Sequence, residues 1–171
     1  MASNIYLVGF MGTGKTAVGR EVARQLKLRF VDMDSIIEER EKKAISRIFE
    51  EDGELYFRKI EKQVLKEIST EEDSVISCGG GVVLDKENIR IMKQTGAMIC
   101  LSARPGVIIA RTHGYEHRPL VNVDNPEKKI KELLEFRAPF YAQSDHTVDT
   151  SDLSVAEAVK RILKYVRAKD S

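Results

Sequence analysis

The chain reads as an α/β domain built on an open sheet, and three observations point there. The stretch Gly9-Phe10-Met11-Gly12-Thr13-Gly14-Lys15-Thr16 satisfies the phosphate-loop pattern G-x-x-x-x-G-K-[ST]. It follows a short apolar run, Ile5-Tyr6-Leu7-Val8, and precedes a segment in which Val18, Val22 and Leu26 recur at helical spacing, so its context is strand, loop, helix. Four further strand-like runs downstream are separated by stretches of helical period. The length of 171 residues is that of one domain, since a chain of about 150 residues buries roughly 70% of its unfolded surface.

The loop's chemistry needs its residue types for separate reasons. Its glycines let backbone N–H groups turn inward around a polyphosphate, and the following helix aims its positive dipole end at the same anion. Lys15 adds a mobile charge, and Thr16 offers a small hydroxyl for Mg²⁺, a cation that keeps most of its waters and prefers hard oxygens. The plain alternative is a glycine-rich turn that binds nothing. With glycine at about 7% of residues in general, a chance match in a chain of this length is roughly a one-in-a-hundred event before the strand and helix are counted.

Lys and Arg total 28 against 27 Asp and Glu, a formal net charge of +1, so nothing draws the whole chain toward nucleic acid or an anionic membrane. The first strand begins within a few residues of the N-terminus and no apolar run approaches 18 residues, which predicts a soluble, cytoplasmic protein; a monomer is expected. Cys78 and Cys100 fall in or beside core strands as small apolar residues, and neither a disulfide nor a zinc site is expected.

After the first helix, Leu28-Arg29-Phe30-Val31 reads as a second strand ending in Asp32-Met33-Asp34, with Ser35-x-x-Glu38 as the capping-box start of the next helix. Two acids thus stand at the C-terminal edge of a strand, where open α/β sheets bind ligands. Asp32 is read as a Mg²⁺ residue acting through water, and Asp34 as a contact to a substrate hydroxyl. Ala44 to Glu51 forms a short helix closed by Asp52-Gly53. A long helix from about Glu54 to Ile68 follows, with Phe57, Ile60, Val64, Leu65 and Ile68 as its apolar stripe. Glu61 interrupts that stripe three residues after Arg58, placed to brace its guanidinium as a planar fork for carboxylate or phosphate. An ordinary surface ion pair is the competing reading.

Ser74 to Cys78 is a third strand that runs into Gly79-Gly80-Gly81, where the absence of side chains suits close approach of backbone to a ligand. No acid ends this strand, which raises the weight on Asp32 as the metal residue. Asp85 starts a helix that Gly96 stops, and Ala97 to Leu101 is the fourth strand. Pro105 and Gly114 bracket the next helix, with Arg111-Thr112 in its last turn. The polar run from Tyr115 to Asp124 reads as a mobile loop from which Arg118 closes over a γ-phosphoryl group. Phosphoryl transfer leaves little for a strong base, so His113 and His117 are read as solvated loop residues. Asn125-Pro126 opens a helix whose apolar face, Ile130, Leu133 and Leu134, leads to Arg137, a second anion fork just before a helix end at Ala138-Pro139. Asp145 to Asp149 is a fifth strand at or near an edge, with His146 an ordinary strand residue, and Ser154-x-x-Glu157 caps the final helix.

Read together in this order, Gly9 to Thr16, Asp32-x-Asp34, Gly53-Glu54-x-x-Phe57-Arg58-x-x-Glu61, Gly79-Gly80-Gly81, Arg118-Pro119-Leu120 and Arg137-x-Pro139-x-Tyr141 resemble the shikimate kinase family over most of the chain. The resemblance implies a P-loop kinase fold: one domain over residues 1–171, a five-stranded parallel sheet flanked by helices, a small mobile lid at about 112–124, and a substrate-binding helical region at about 33–61. It implies transfer of a phosphoryl group from ATP, with Mg²⁺, to the 3-hydroxyl of shikimate in aromatic amino-acid (chorismate) biosynthesis. Carried over by position, Gly12, Thr13, Gly14, Lys15, Thr16 and Ala17 meet the nucleotide, Thr16 and Asp32 flank Mg²⁺, and Lys15, Asp34 and Arg118 serve catalysis. Asp34, Arg58, Gly80, Gly81 and Arg137 hold shikimate, and Arg111 packs near the adenine. The segment Thr150-Ser151-Asp152-Leu153 departs from the family, lacking the Arg and Pro often found beside the base. The rivals are a kinase for another polyol acid such as gluconate, a nucleotide kinase, and a non-catalytic nucleotide switch. Aromatic residues make up only 6% of the chain, against a base-stacking acceptor pocket. No Asn-Lys-x-Asp motif is present for guanine.

Overall fold

The computed structural model describes residues 3–112 and 124–171. The expected lid, apart from its end residues 112 and 124, lies outside the described residues, and with it Arg118, His113, His117 and Gly114. Five strands form one sheet: β1 (Asn4–Val8), β2 (Arg29–Asp32), β3 (Ser74–Ser77), β4 (Gly96–Ser102) and β5 (His146–Asp149). Its order is β2-β3-β1-β4-β5 and all four pairings are parallel, with β5 at an edge as expected. The helices are α1 (Lys15–Leu26), α2 (Met33–Glu41), α3 (Ile45–Asp52), α4 (Glu54–Ile68), α5 (Lys86–Thr95), α6 (Pro105–Thr112), α7 (Pro126–Tyr141) and α8 (Val155–Asp170).

Alternation along the strands divides the core in two. Tyr6 and Val8 of β1 and Met98 and Cys100 of β4 face one side, packed against Ile37 of α2, Val64 and Leu65 of α4 and Met92 of α5. Ile5, Leu7, Ile99 and Leu101 face the other side, against Val18 and Val22 of α1 and Ile162 and Leu163 of α8. Parallel strands covered on both faces carry near-continuous apolar runs, which is why β1 is buried at every position. The chain leaves β1 toward β2 at one edge, then returns through β3 and crosses to β4 on the other side of β1. Helices α1 and α5 therefore depart on opposite faces, and a crevice opens beyond the C-terminal ends of β1 and β3.

Two helix boundaries differ from expectation. Asp32, not Ser35, caps α2: its Oδ1 accepts from Asp34 N (3.0 Å) and Ser35 N (3.3 Å), so the helix begins immediately after β2. Glu38, the expected partner in a capping box, instead accepts from Ile45 N at the start of α3 (3.0 Å). Helix α7 does not end at Ala138-Pro139 but continues through Pro139 to Tyr141. A proline so near the terminus removes one hydrogen bond of the last turn, and Ala142 N still closes that turn on Ala138 O at 2.9 Å. Leu28 belongs to the closure of α1, where its N–H reaches Ala23 O (2.9 Å), rather than to β2. Cys78 lies just past β3, and Val82–Leu84, which carried no expected element, forms a short 3-10 turn. At Ser154 the expected capping box is present with both of its hydrogen bonds.

Gly96, opposite Asn4 where β4 begins, is a position of close backbone approach: a Cβ there would overlap the Asn4 carbonyl. Gly96→Ala is expected to lower unfolding free energy by about 2–3 kcal/mol, the usual cost of overpacking, seen as a lower urea midpoint at unchanged slope. A parental midpoint would mean that β1 and β4 are not this close.

Candidate active site

A cavity of about 480 Å³ opens over the C-terminal end of the sheet, between the phosphate loop, the start of α2, the start of α4 and the glycine run after β3. On the loop side, Gly12 and Gly14 adopt φ of +78° and +100°, a region that costs other residues energy. Gly14 is the N-cap of α1 and no side chain caps that helix. The first-turn amides, at the positive end of the helix dipole, thus stand at the cavity wall without a protein acceptor from a cap. Lys15 lies over the loop, its Nζ donating to Gly9 O (2.6 Å) and Phe10 O (3.0 Å).

The loop is held from behind. Thr13 is fully buried and its hydroxyl donates to Phe10 O (2.7 Å), so its side chain serves the loop's shape rather than the cavity. Thr150 Oγ1 donates to Thr13 O (2.8 Å). Arg111 donates to Gly12 O (3.2 Å), Thr150 Oγ1 (3.0 Å) and Thr150 O (2.7 Å), holding its guanidinium plane at the cavity edge. Thr150 entered the sequence reading only as part of the segment Thr150–Leu153 that departs from the family, with no role for its hydroxyl; the signal for that role is its place immediately after β5, at the sheet edge where ligands bind.

Across the cavity, each glycine of Gly79-Gly80-Gly81 lies beside an ionisable side chain. The position of a Cβ on Gly79 is 2.9 Å from Glu61 Oε2 and 3.1 Å from Asp34 Oδ1. A Cβ on Gly80 would stand 3.2 Å from Arg137 Nη1, and one on Gly81 would overlap the Arg58 guanidinium. Adjacent Cα atoms are about 3.8 Å apart, so the two arginines converge on neighbouring residues. Arg58 Nη1 donates to Glu61 Oε1 (2.9 Å), the bracing expected from their spacing, and Nη2 reaches Glu54 Oε1 (3.4 Å). Arg137 is 3% exposed, with its guanidinium 5.4 Å from the centre of the Phe10 ring. Among the described residues its Nε and Nη1 have no hydrogen-bond acceptor. A buried cation in that condition is costly, and an anion placed between the two forks removes the cost.

Asp32 and Thr16 both line the cavity. Among the described residues no three His, Cys, Asp or Glu side chains cluster as a self-sufficient metal cage. One hydroxyl and one carboxylate suit Mg²⁺, which completes its shell with water and phosphate oxygens. Ala17 also lines the cavity. Phe49 and Phe57, with ring centroids 4.7 Å apart, supply an apolar wall; Phe57 belongs to the apolar stripe expected of its helix, and no role was expected for Phe49. Cys78 and Cys100 are free and buried, and burial raises both thiols.

A family model described as Shikimate kinase matches residues 11–167. A shikimate kinase of Caldanaerobacter subterraneus subsp. tengcongensis is 44% identical over 167 residues, covering 97% of this chain and 98% of that one. A shikimate kinase of Thermodesulfovibrio yellowstonii is 46% identical over 161 residues, 94% of this chain and 93% of its own. Among solved structures, shikimate kinase from Acinetobacter baumannii in complex with shikimate superposes with a TM-score of 0.94 at 36% identity, covering 98% of this chain and 94% of that one. Shikimate kinase from Aquifex aeolicus gives 0.82 at 36% identity, with 98% of each chain covered.

Glu61 is 1% exposed, and its Oε2 has no hydrogen-bond partner among the described residues. Burial raises its carboxyl pKa from 4.5 to about 7; Arg58 opposes the rise, Asp34 adds to it and Arg137 opposes it. The folded state therefore binds this proton more tightly than the unfolded chain does. That contribution to stability is full below pH 4.5 and is lost as pH climbs through 7. Between those limits the parent is expected to lose roughly 3 kcal/mol relative to Glu61→Gln, measured by urea unfolding across the pH range. A difference independent of pH would contradict the burial of a titrating carboxyl here.

Proposed function

This chain belongs to the shikimate kinase family, and from that premise we propose that it transfers the γ-phosphoryl group of ATP to the 3-hydroxyl of shikimate. The products are shikimate 3-phosphate and ADP, on the route to chorismate and the aromatic amino acids. The observation that carries this reading is the pair of guanidinium forks over Gly80 and Gly81, one of them buried with two nitrogens lacking an acceptor among the described residues, facing the same cavity as the phosphate loop.

In this assignment the amides from Gly12 to Ala17, with Lys15, hold the ATP phosphates, and Arg111 offers the flat face of its guanidinium to the adenine. Arg58 and Arg137 grip the substrate carboxylate, and Gly80 and Gly81 close against the ring. Asp34 takes the ring hydroxyls, holds the attacking one in line and receives its proton. Thr16 and Asp32 would hold Mg²⁺, which when bound would supply positive charge to the phosphate oxygens. Arg118, outside the described residues, is assigned to the charge on the moving phosphoryl group. The hydroxyl oxygen bonds to the γ-phosphorus as the bond to the β–γ bridging oxygen breaks, and ADP leaves. A loose transition state of this kind depends on positioning and charge more than on a strong base.

We propose that it acts as a monomer. No helix among the described residues is long and apolar enough to cross a membrane. Dependence on ATP and two free buried thiols support action in the cytoplasm.

ADP release is to be measured with shikimate, gluconate and nucleoside monophosphates side by side, in the parent and in Arg58→Ala and Arg137→Ala. Turnover is expected to depend on shikimate. Loss of a charged hydrogen-bonding fork is expected to raise KM for shikimate about 30- to 100-fold, with KM for ATP within about threefold. Parental shikimate constants in either variant would overturn the carboxylate assignment, and ATP turnover independent of any acceptor would favour a switch.

A further inference from the structure

Of Arg137-x-Pro139-x-Tyr141, the reaction as assigned uses only the arginine. Tyr141 closes α7, is 9% exposed, and donates its hydroxyl to Gly80 O at 2.6 Å across 61 residues of sequence. That carbonyl is the one in the glycine run that the local backbone leaves unheld. Gly79 O accepts from Val82 N (3.1 Å) and Gly81 O from Leu84 N (3.1 Å), both within the 3-10 turn. Only the peptide between Gly80 and Gly81 depends on a side chain from elsewhere in the fold.

The peptide is trans, so its carbonyl and its N–H point in opposite directions across one rigid plane. Fixing the Gly80 carbonyl on Tyr141 therefore fixes the direction of the Gly81 N–H, which donates to no backbone carbonyl among the described residues. Both flanking residues are glycines that line the cavity beside Arg137 and Arg58. Without Cβ atoms to resist rotation, the plane turns easily once its anchor is gone.

We propose that Tyr141 is a positioning residue for the acceptor: its hydroxyl holds the Gly80–Gly81 peptide so that the Gly81 N–H faces the bound acid between the two arginine forks. This rests on the assignment of shikimate to this cavity. Tyr141→Phe keeps the ring that fills the site and deletes the anchor. It is expected to raise KM for shikimate about five- to tenfold, the worth of a net hydrogen bond or slightly more, with saturated kcat and KM for ATP within about twofold. In ¹⁵N-resolved NMR of the ligand-free proteins, the Gly81 amide is expected to shift or broaden in the variant.

A fall in kcat at unchanged KM for shikimate would reveal a merely structural tyrosine and overturn the proposal, as would an unmoved Gly81 amide. If the parent itself showed no turnover dependent on shikimate, the functional reading would fail, and the proposal with it as a statement about this acceptor; the amide comparison would still report on the anchor separately. Should the variant not fold, the parent supplies the decision. Shikimate should shift the Gly81 amide and slow its exchange, and an indifferent amide would overturn the proposal.

Discussion

Two guanidinium groups are folded into the wall of one cavity, and the protein around them compensates each only in part. Arg58 has Glu61 as a brace, but Glu61 is buried enough that its own ionisation is resisted. Arg137 has the Phe10 ring and the Tyr141 hydroxyl beside it, and two of its nitrogens, Nε and Nη1, have no acceptor among the described residues. Buried charge normally demands a full partner. The partial compensation here suits an anion that arrives from solution, because an arginine already held in place loses little freedom when it binds.

The glycine run makes that arrangement sterically possible. Side chains at Gly79, Gly80 and Gly81 would occupy the space taken by Asp34 and Glu61, by Arg137 and by Arg58 in turn. The run follows β3, and the phosphate loop follows β1, so adjacent strands deliver both halves of the site to one rim of the sheet. Gly80 lies against the phosphate loop, the position of its Cβ being 3.7 Å from Gly9 O and 3.8 Å from Met11 N. The proposed acceptor and donor sites thus share a wall made of backbone, whose geometry is set by strand pairing and by hydrogen bonds from Thr150 and Tyr141.

Local signals in the sequence located the phosphate loop, the order of strands and helices, and the Arg58–Glu61 pair, because each depends on spacing within one element. The departures arise where a residue had two competing uses. Asp32 outcompetes Ser35 for the cap of α2 because β2 delivers it in extended geometry directly ahead of the first open amides. Pro139 looked like a helix end, but near the terminus it forfeits little of the hydrogen-bond ladder. The hydrogen bonds of Thr150 and Tyr141 could not be read from the motif and segment that contain them, because they exist only across long separations, 137 residues in the bond from Thr150 to the phosphate loop and 61 in that from Tyr141 to Gly80. The strand order, too, depends on contacts that no single segment encodes.

The central expectation is that a small carboxylated polyol and the terminal phosphates of ATP meet in this one cavity. It is tested most directly by a crystal structure of the protein with shikimate and a non-hydrolysable ATP analogue. The carboxylate is expected between Arg58 and Arg137, a ring hydroxyl on Asp34, and the γ-phosphate over Lys15 within reach of the neighbouring hydroxyl. Shikimate lodged away from Asp34 and Arg137, with the analogue in the phosphate loop, would contradict it.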